Sequence, residues 1–132
     1  MRPVRLQILA LAVLVALAVA CGASSRTKAL DTATMALDRS YAGFHAFDEA
    51  RQRAIIAAAV AASTSVEQGE AAGQAALAEW RIARDVVKDA VIAALRLIGL
   101  ARVDANTPID EVLAKVQAAY HAIAEVKQEG SP

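Results

Sequence analysis

Ala57-Ala58-Ala59-Val60-Ala61-Ala62-Ser63-Thr64-Ser65-Val66-Glu67-Gln68 is the stretch on which the fold turns. From Arg26 to Val66 there is no Pro and only one Gly, Gly43, and Ala dominates, which favours an uninterrupted helix. Ser63, Thr64 and Ser65 then break the pattern. Thr64 with Glu67, and Ser65 with Gln68, each have the spacing of a capping box, in which a hydroxyl takes the third helical N–H and the acidic or amide side chain reaches back. One helix therefore ends near residue 62 and a second begins near 66.

Working upstream, Leu30, Ala33, Leu37, Tyr41, Phe44, Phe47, Ala54, Ile55, Ala58 and Ala62 recur at three- and four-residue steps. They form one core-facing stripe. Upstream again, Gly22 to Ser25 reads as a short tether, with Ser24 or Ser25 able to cap the first helix.

Downstream, the stripe of the second helix runs through Ala76, Trp80, Ala83, Val87, Val91, Ala94 and Ile98, with Arg81, Asp85, Lys88 and Asp89 on the far side. Val91 to Leu100 is apolar nearly all round, which implies burial on more than one side. Arg96 and the shortness of the run argue against a membrane span. Asp104-Ala-Asn-Thr107-Pro108 separates a third helix, with Thr107 as N-cap, Pro108 in the first turn, and Asp110 and Glu111 where the helix dipole favours negative charge. Its inward stripe is Ile109, Leu113, Val116, Tyr120, Ile123 and the methylene stem of Lys127, and Gly130 stops it.

Helices over about 26–62, 66–101 and 108–128 with short connections predict an all-α fold. It is either an up-down-up antiparallel three-helix bundle or a long helical hairpin with a shorter third helix. Many stripe positions are Ala, so little apolar area is buried per residue, and self-association or a protein partner is expected to complete the core.

The first twenty residues have a different character. Met1-Arg-Pro-Val-Arg5 carries two positive charges and no negative one, and Leu6 to Ala20 is apolar apart from Gln7. This is the layout of a secretory signal peptide, residues 1–20, and it is too short for a comfortable transmembrane helix. Arg2 and Arg5 are not adjacent, so the general secretory route is expected. Leu17-Ala18-Val19-Ala20-Cys21 resembles the lipobox of bacterial lipoproteins, although Ala18 stands where Leu is commonest. The resemblance covers residues 1–21 and implies cleavage between Ala20 and Cys21, with lipid carried on the Cys21 sulfur. It further implies attachment to a membrane of the bacterial envelope, on the periplasmic face of the outer membrane or the outer face of the cytoplasmic membrane. Ala18-Val19-Ala20 is equally an A-x-A site, and an ordinary cut after Ala20 would release a soluble exported protein.

Cys21 is the sole cysteine, so no disulfide within the chain can brace the fold. The whole chain balances 14 Lys and Arg against 14 Asp and Glu, and loss of Arg2 and Arg5 leaves a small acidic excess. Without a basic patch, nucleic acid is not an expected partner.

Candidate chemistry is sparse. A weak internal repeat, Phe44-His-Ala-Phe-Asp-Glu49 against Tyr120-His-Ala-Ile-Ala-Glu125, places both histidines alike, each with Glu four residues on. His45 with Glu49, and His121 with Glu125, could share a metal if the first and third helices brought them together. The helical wheel turns both pairs toward water, and no catalytic residues, metal or cofactor are expected. Asp48 and Arg51 have the spacing of an ion pair at the edge of the core. Trp80, Tyr41, Phe44, Phe47 and Tyr120 fall at core spacing before they suggest a ligand pocket. The expectation is a non-enzymatic helical interaction module.

Overall fold

The computed structural model describes residues 23–130, so the leader, the cleavage position after Ala20 and Cys21 lie outside the described residues. Three helices follow one another: α1 over Ala23–Ala61, α2 over Val66–Val103 and α3 over Ile109–Glu129. Each packs on both others, giving an all-α up-down-up antiparallel bundle. No described helix is long and apolar enough to cross a membrane.

The first helix starts earlier than its sequence suggests. Ser24 and Ser25 fall within the first described turn, and no Pro or Gly between Ala23 and Ala42 breaks the helix. That turn is held by Arg26, whose Nη2 donates to the carbonyls of Ala101 (3.0 Å), Asp104 (3.2 Å) and Thr107 (2.8 Å). Carbonyls at and beyond the end of α2 are left open by the helix ladder, and this one guanidinium binds three of them and so ties the α2–α3 corner to α1.

At the hairpin, Ser65 is the N-cap of α2, its hydroxyl accepting from Gln68 N at 3.2 Å. The return contact goes one residue further back than a standard box: Gln68 Oε1 accepts from the Thr64 hydroxyl at 2.7 Å. Thr107 does not cap α3. Pro108 occupies the cap position with no side-chain hydrogen bond, while Thr107 is buried with its carbonyl engaged by Arg26. Gly130 ends α3 without left-handed backbone, at φ −84°. A Cβ there would stand 3.0 Å from Phe47 Cζ, so a larger residue would require the Phe47 ring to give way.

The core joins Leu30, Ala33, Leu37 and Phe44 of α1 to Trp80, Val87, Val91, Ala94 and Ile98 of α2 and to Val112, Val116, Ala119, Ile123 and Val126 of α3. Val112, Ala119 and Val126 displace Leu113, Tyr120 and Lys127 from the centre of the α3 stripe, which is rotated slightly from the expected one. Tyr41, Phe47 and Tyr120 are half-buried at the margins. The all-round apolar run of α2 buries Val91, Ala94 and Ile98 but leaves Leu95 and Leu100 exposed.

The largest departure lies at the far end of the hairpin. Ala54, Ala58 and Ala62 are exposed and Ile55 only half-buried, although they continue the α1 stripe. At about 1.5 Å per residue α1 and α2 each extend nearly 60 Å and α3 about half of that. Beyond Gly130 the core has lost its third wall, and α1 and α2 continue as a two-helix hairpin. Phe44, 2% exposed within the three-helix part, is central to the packing. Phe44→Ala should lower unfolding free energy by about 3–5 kcal/mol, whereas His45→Gln, one residue on and facing water, should stay within about 0.5 kcal/mol. Urea denaturation of the two variants followed by circular dichroism measures both.

Candidate functional site

The two His and Glu pairs do not converge. His45 Nδ1 lies 3.5 Å from Glu49 Oε1 on an exposed surface, with Glu49 also 3.9 Å from Arg53 Nη2. Both side chains are more than half exposed. His45 borders a small polar recess of about 270 Å³ with Tyr41, Asp48, Arg84 and Lys88, on the side of the hairpin away from α3. His121 and Glu125 are exposed on α3, where the buried stripe through Val116, Ala119 and Ile123 turns them outward. The helices also differ in register, because Tyr120 hydrogen-bonds Ser40 rather than standing level with Phe44. Among the described residues no three His, Cys, Asp or Glu side chains gather closely enough to hold a metal ion.

What the helices do bring together is a buried polar node where the three-helix part ends. Asp48, 9% exposed, accepts the indole N–H of Trp80 at 2.6 Å and the Gln52 amide at 3.0 Å. The Phe47 ring packs edge-on to Trp80 at 6.0 Å, and Lys127 Nζ stands 6.0 Å from the Phe47 ring centre. Arg51 is not the partner of Asp48 that the spacing suggests. Its Nε is buried with no hydrogen-bond partner among the described residues. The i, i+3 spacing allows the pair, but Trp80 from the opposite helix takes the carboxylate first. An Asp within an apolar stripe and a lone Trp in the facing stripe were the sequence signals for this contact; only the pairing of the two helices joins them.

Two apolar grooves flank the two-helix end of the hairpin. One, about 720 Å³, continues the line of α3 past Gly130 and is lined by Phe47, Ala50, Ala54, Ile55, Ala58 and Ala76. The other, about 550 Å³, lies on the opposite side between Ile56, Val60, Val66, Gly73 and Leu77, with Glu70 at its edge. Neither carries a set of groups able to perform acid–base or nucleophilic chemistry. Both are shaped to receive apolar side chains. The chain matches no protein family, no curated protein and no solved structure.

Removing the Asp48 acceptor should be costly because the indole N–H stays buried. Asp48→Ala should lose about 1–3 kcal/mol of stability in chemical denaturation, and Asp48→Asn, which keeps an acceptor oxygen, less than Asp48→Ala.

Burial pushes the Tyr120 phenol above its ordinary value of 10.0, against a smaller lowering by the Ser40 hydrogen bond. A raised acid favours the neutral form in the folded state, so its contribution is complete below the unfolded phenol's range and fades as pH rises through the folded one. Thermal melts between about pH 9 and 12 should therefore show a steeper alkaline loss for the native chain than for Tyr120→Phe.

Proposed function

We propose that the protein is a membrane-anchored, non-enzymatic lipoprotein of the bacterial envelope whose helical hairpin is a protein-interaction module. The observation that carries this reading is Leu17-Ala18-Val19-Ala20-Cys21 at the end of an apolar run. A diacylglycerol on Cys21 supplies two acyl chains, the number that makes a lipid anchor stable.

The placement of the helix ends gives such an anchor a consequence. Arg26 binds the start of α1 to the α2–α3 corner, so this end of the bundle lies next to the lipid. Ser63 to Ser65, at the hairpin turn, then stand farthest from the membrane. The exposed apolar side chains Ile56, Val60 and Val66 are carried at that outer end, 46%, 61% and 76% exposed respectively. A tethered domain that presents apolar side chains away from its own membrane, with no metal-binding cluster of His, Cys, Asp or Glu among the described residues, fits a binding role better than a catalytic one.

The anchor is tested by metabolic labelling with a palmitate analogue. The native chain should take up label at residue 21, and Cys21→Ser should abolish it and accumulate precursor or unanchored protein. A mature N-terminus at residue 21 with free amine and thiol would show instead the ordinary cut after Ala20 and a soluble exported protein.

A further inference from the structure

The side of the hairpin away from α3 is a face that no other described element covers. On α1 it is followed by Met35, Asp38, His45, Glu49, Ile56 and Val60, at heptad-like steps of three, four and seven residues. On α2 the matching stripe runs through Val66, Leu77, Arg81, Arg84, Lys88 and Leu95. Three local observations place these residues on one side. Arg102 binds Asp31 at 2.8 Å near the base. His45, Arg84 and Lys88 border one recess halfway up. Ile56, Val60, Val66 and Leu77 line one groove at the tip.

Charge on this face is divided by helix. Asp31, Asp38 and Glu49 are on α1, and Arg81, Arg84, Lys88 and Arg102 are on α2, with Arg53 and Asp85 toward the outer edges and Glu70 near the tip. The contacts between the limbs fix their relative heights: Asp48 meets Trp80, Ala59 meets Gly73 and Ser63 meets Gly69. Glu49 is thus within a turn of Arg81 in height, and Asp38 within about two turns of Lys88. Yet neither carboxylate bridges to α2 within the chain, Glu49 contacting only neighbours on its own helix.

We propose that this face is an isologous interface with a second copy of the same chain, related by a two-fold axis along the hairpin. That rotation lays α1 of one copy against α2 of the other at unchanged height. The acidic row then meets the basic row twice over, and the apolar tips of both copies close on each other. A two-fold axis across the hairpin would instead oppose α1 to α1, acid to acid, and set the apolar tip against the charged middle. Docking on the α3 side is obstructed, because α3 projects from each copy below the tip. The face is two helices wide and about 40 Å long from the level of Met35 to the turn, on the order of 800 Å² per copy, the size of a standard stable interface. The chosen axis also leaves both chain starts at one end, as two anchors in one membrane require; this orientation rests on the anchored reading above.

The test is sedimentation velocity on the full chain, expressed in a bacterial envelope and purified in excess mild detergent, with fatty-acid label read on the same preparation. The native chain should dimerise, and Arg81→Glu with Arg84→Glu should weaken the dimer at least about tenfold while helicity is kept. Adding Glu49→Lys, at the carboxylate level with Arg81, should restore part of it. A native chain that stays monomeric at about 100 µM, far above the dissociation constants usual for interfaces of this size, overturns the proposal. So does a dimer indifferent to these reversals, or one lost on Ile82→Ser with Val86→Ser at the other edge of α2. A dimer without lipid label keeps the interface and removes the anchor, whereas a labelled monomer does the reverse.

Discussion

α3 stops at Gly130, beside the Phe47 ring, and what α1 and α2 can enclose depends on that level. Below it three helices enclose Leu37, Phe44, Val87, Val91 and Val116. Above it two helices continue alone, and a helix pair has no closed interior. The same Ala-rich stripe is therefore core in one half of α1 and surface in the other, because burial depends on how many walls surround a side chain.

The Asp48 node marks the same boundary in polar terms. A carboxylate at the margin of a core is tolerated when it is hydrogen-bonded, and Trp80 and Gln52 both donate to its Oδ1. The arrangement fixes the register of the hairpin, since a slip of one residue would break a 2.6 Å hydrogen bond from a bulky indole. Register in turn sets which acidic side chain of α1 lies level with which basic side chain of α2. A single buried contact thereby decides the charge pattern of the face that the proposed second copy would meet. Arg26 performs the corresponding service at the other end, where its three carbonyl acceptors hold the α2–α3 corner against the start of α1.

The anchored reading and the hairpin geometry give the molecule a direction. Lipid on Cys21 would hold the three-helix part close to the membrane and send the thinner, more apolar hairpin end outward. The part with the best-packed core would then face the membrane, and the part least able to satisfy its own apolar surface would face potential partners. Apolar side chains left over by an incomplete fold are suited to such a use, because covering them supplies the free energy that the missing third wall did not.

Much of this was present in the residues themselves. The Ala-rich run, the hydroxyl break at Ser63 to Ser65 and the Pro108 break determine three helices, because helix propensity and capping act within a few residues. The outward placement of His45, Glu49, His121 and Glu125 was equally local, a matter of helical period. Other features depended on the length of one helix against another. Val112, Ala119 and Val126 rather than Leu113 and Tyr120 became the centre of α3 because the seat between α1 and α2 set its rotation. Ala54, Ala58 and Ala62 became surface because α3 ends at Glu129. Asp48 joined Trp80 instead of Arg51, and Arg26 tied the α2–α3 corner to α1. Each of these joins residues distant in the chain, and helical period describes one helix at a time; only packing decides what stands opposite.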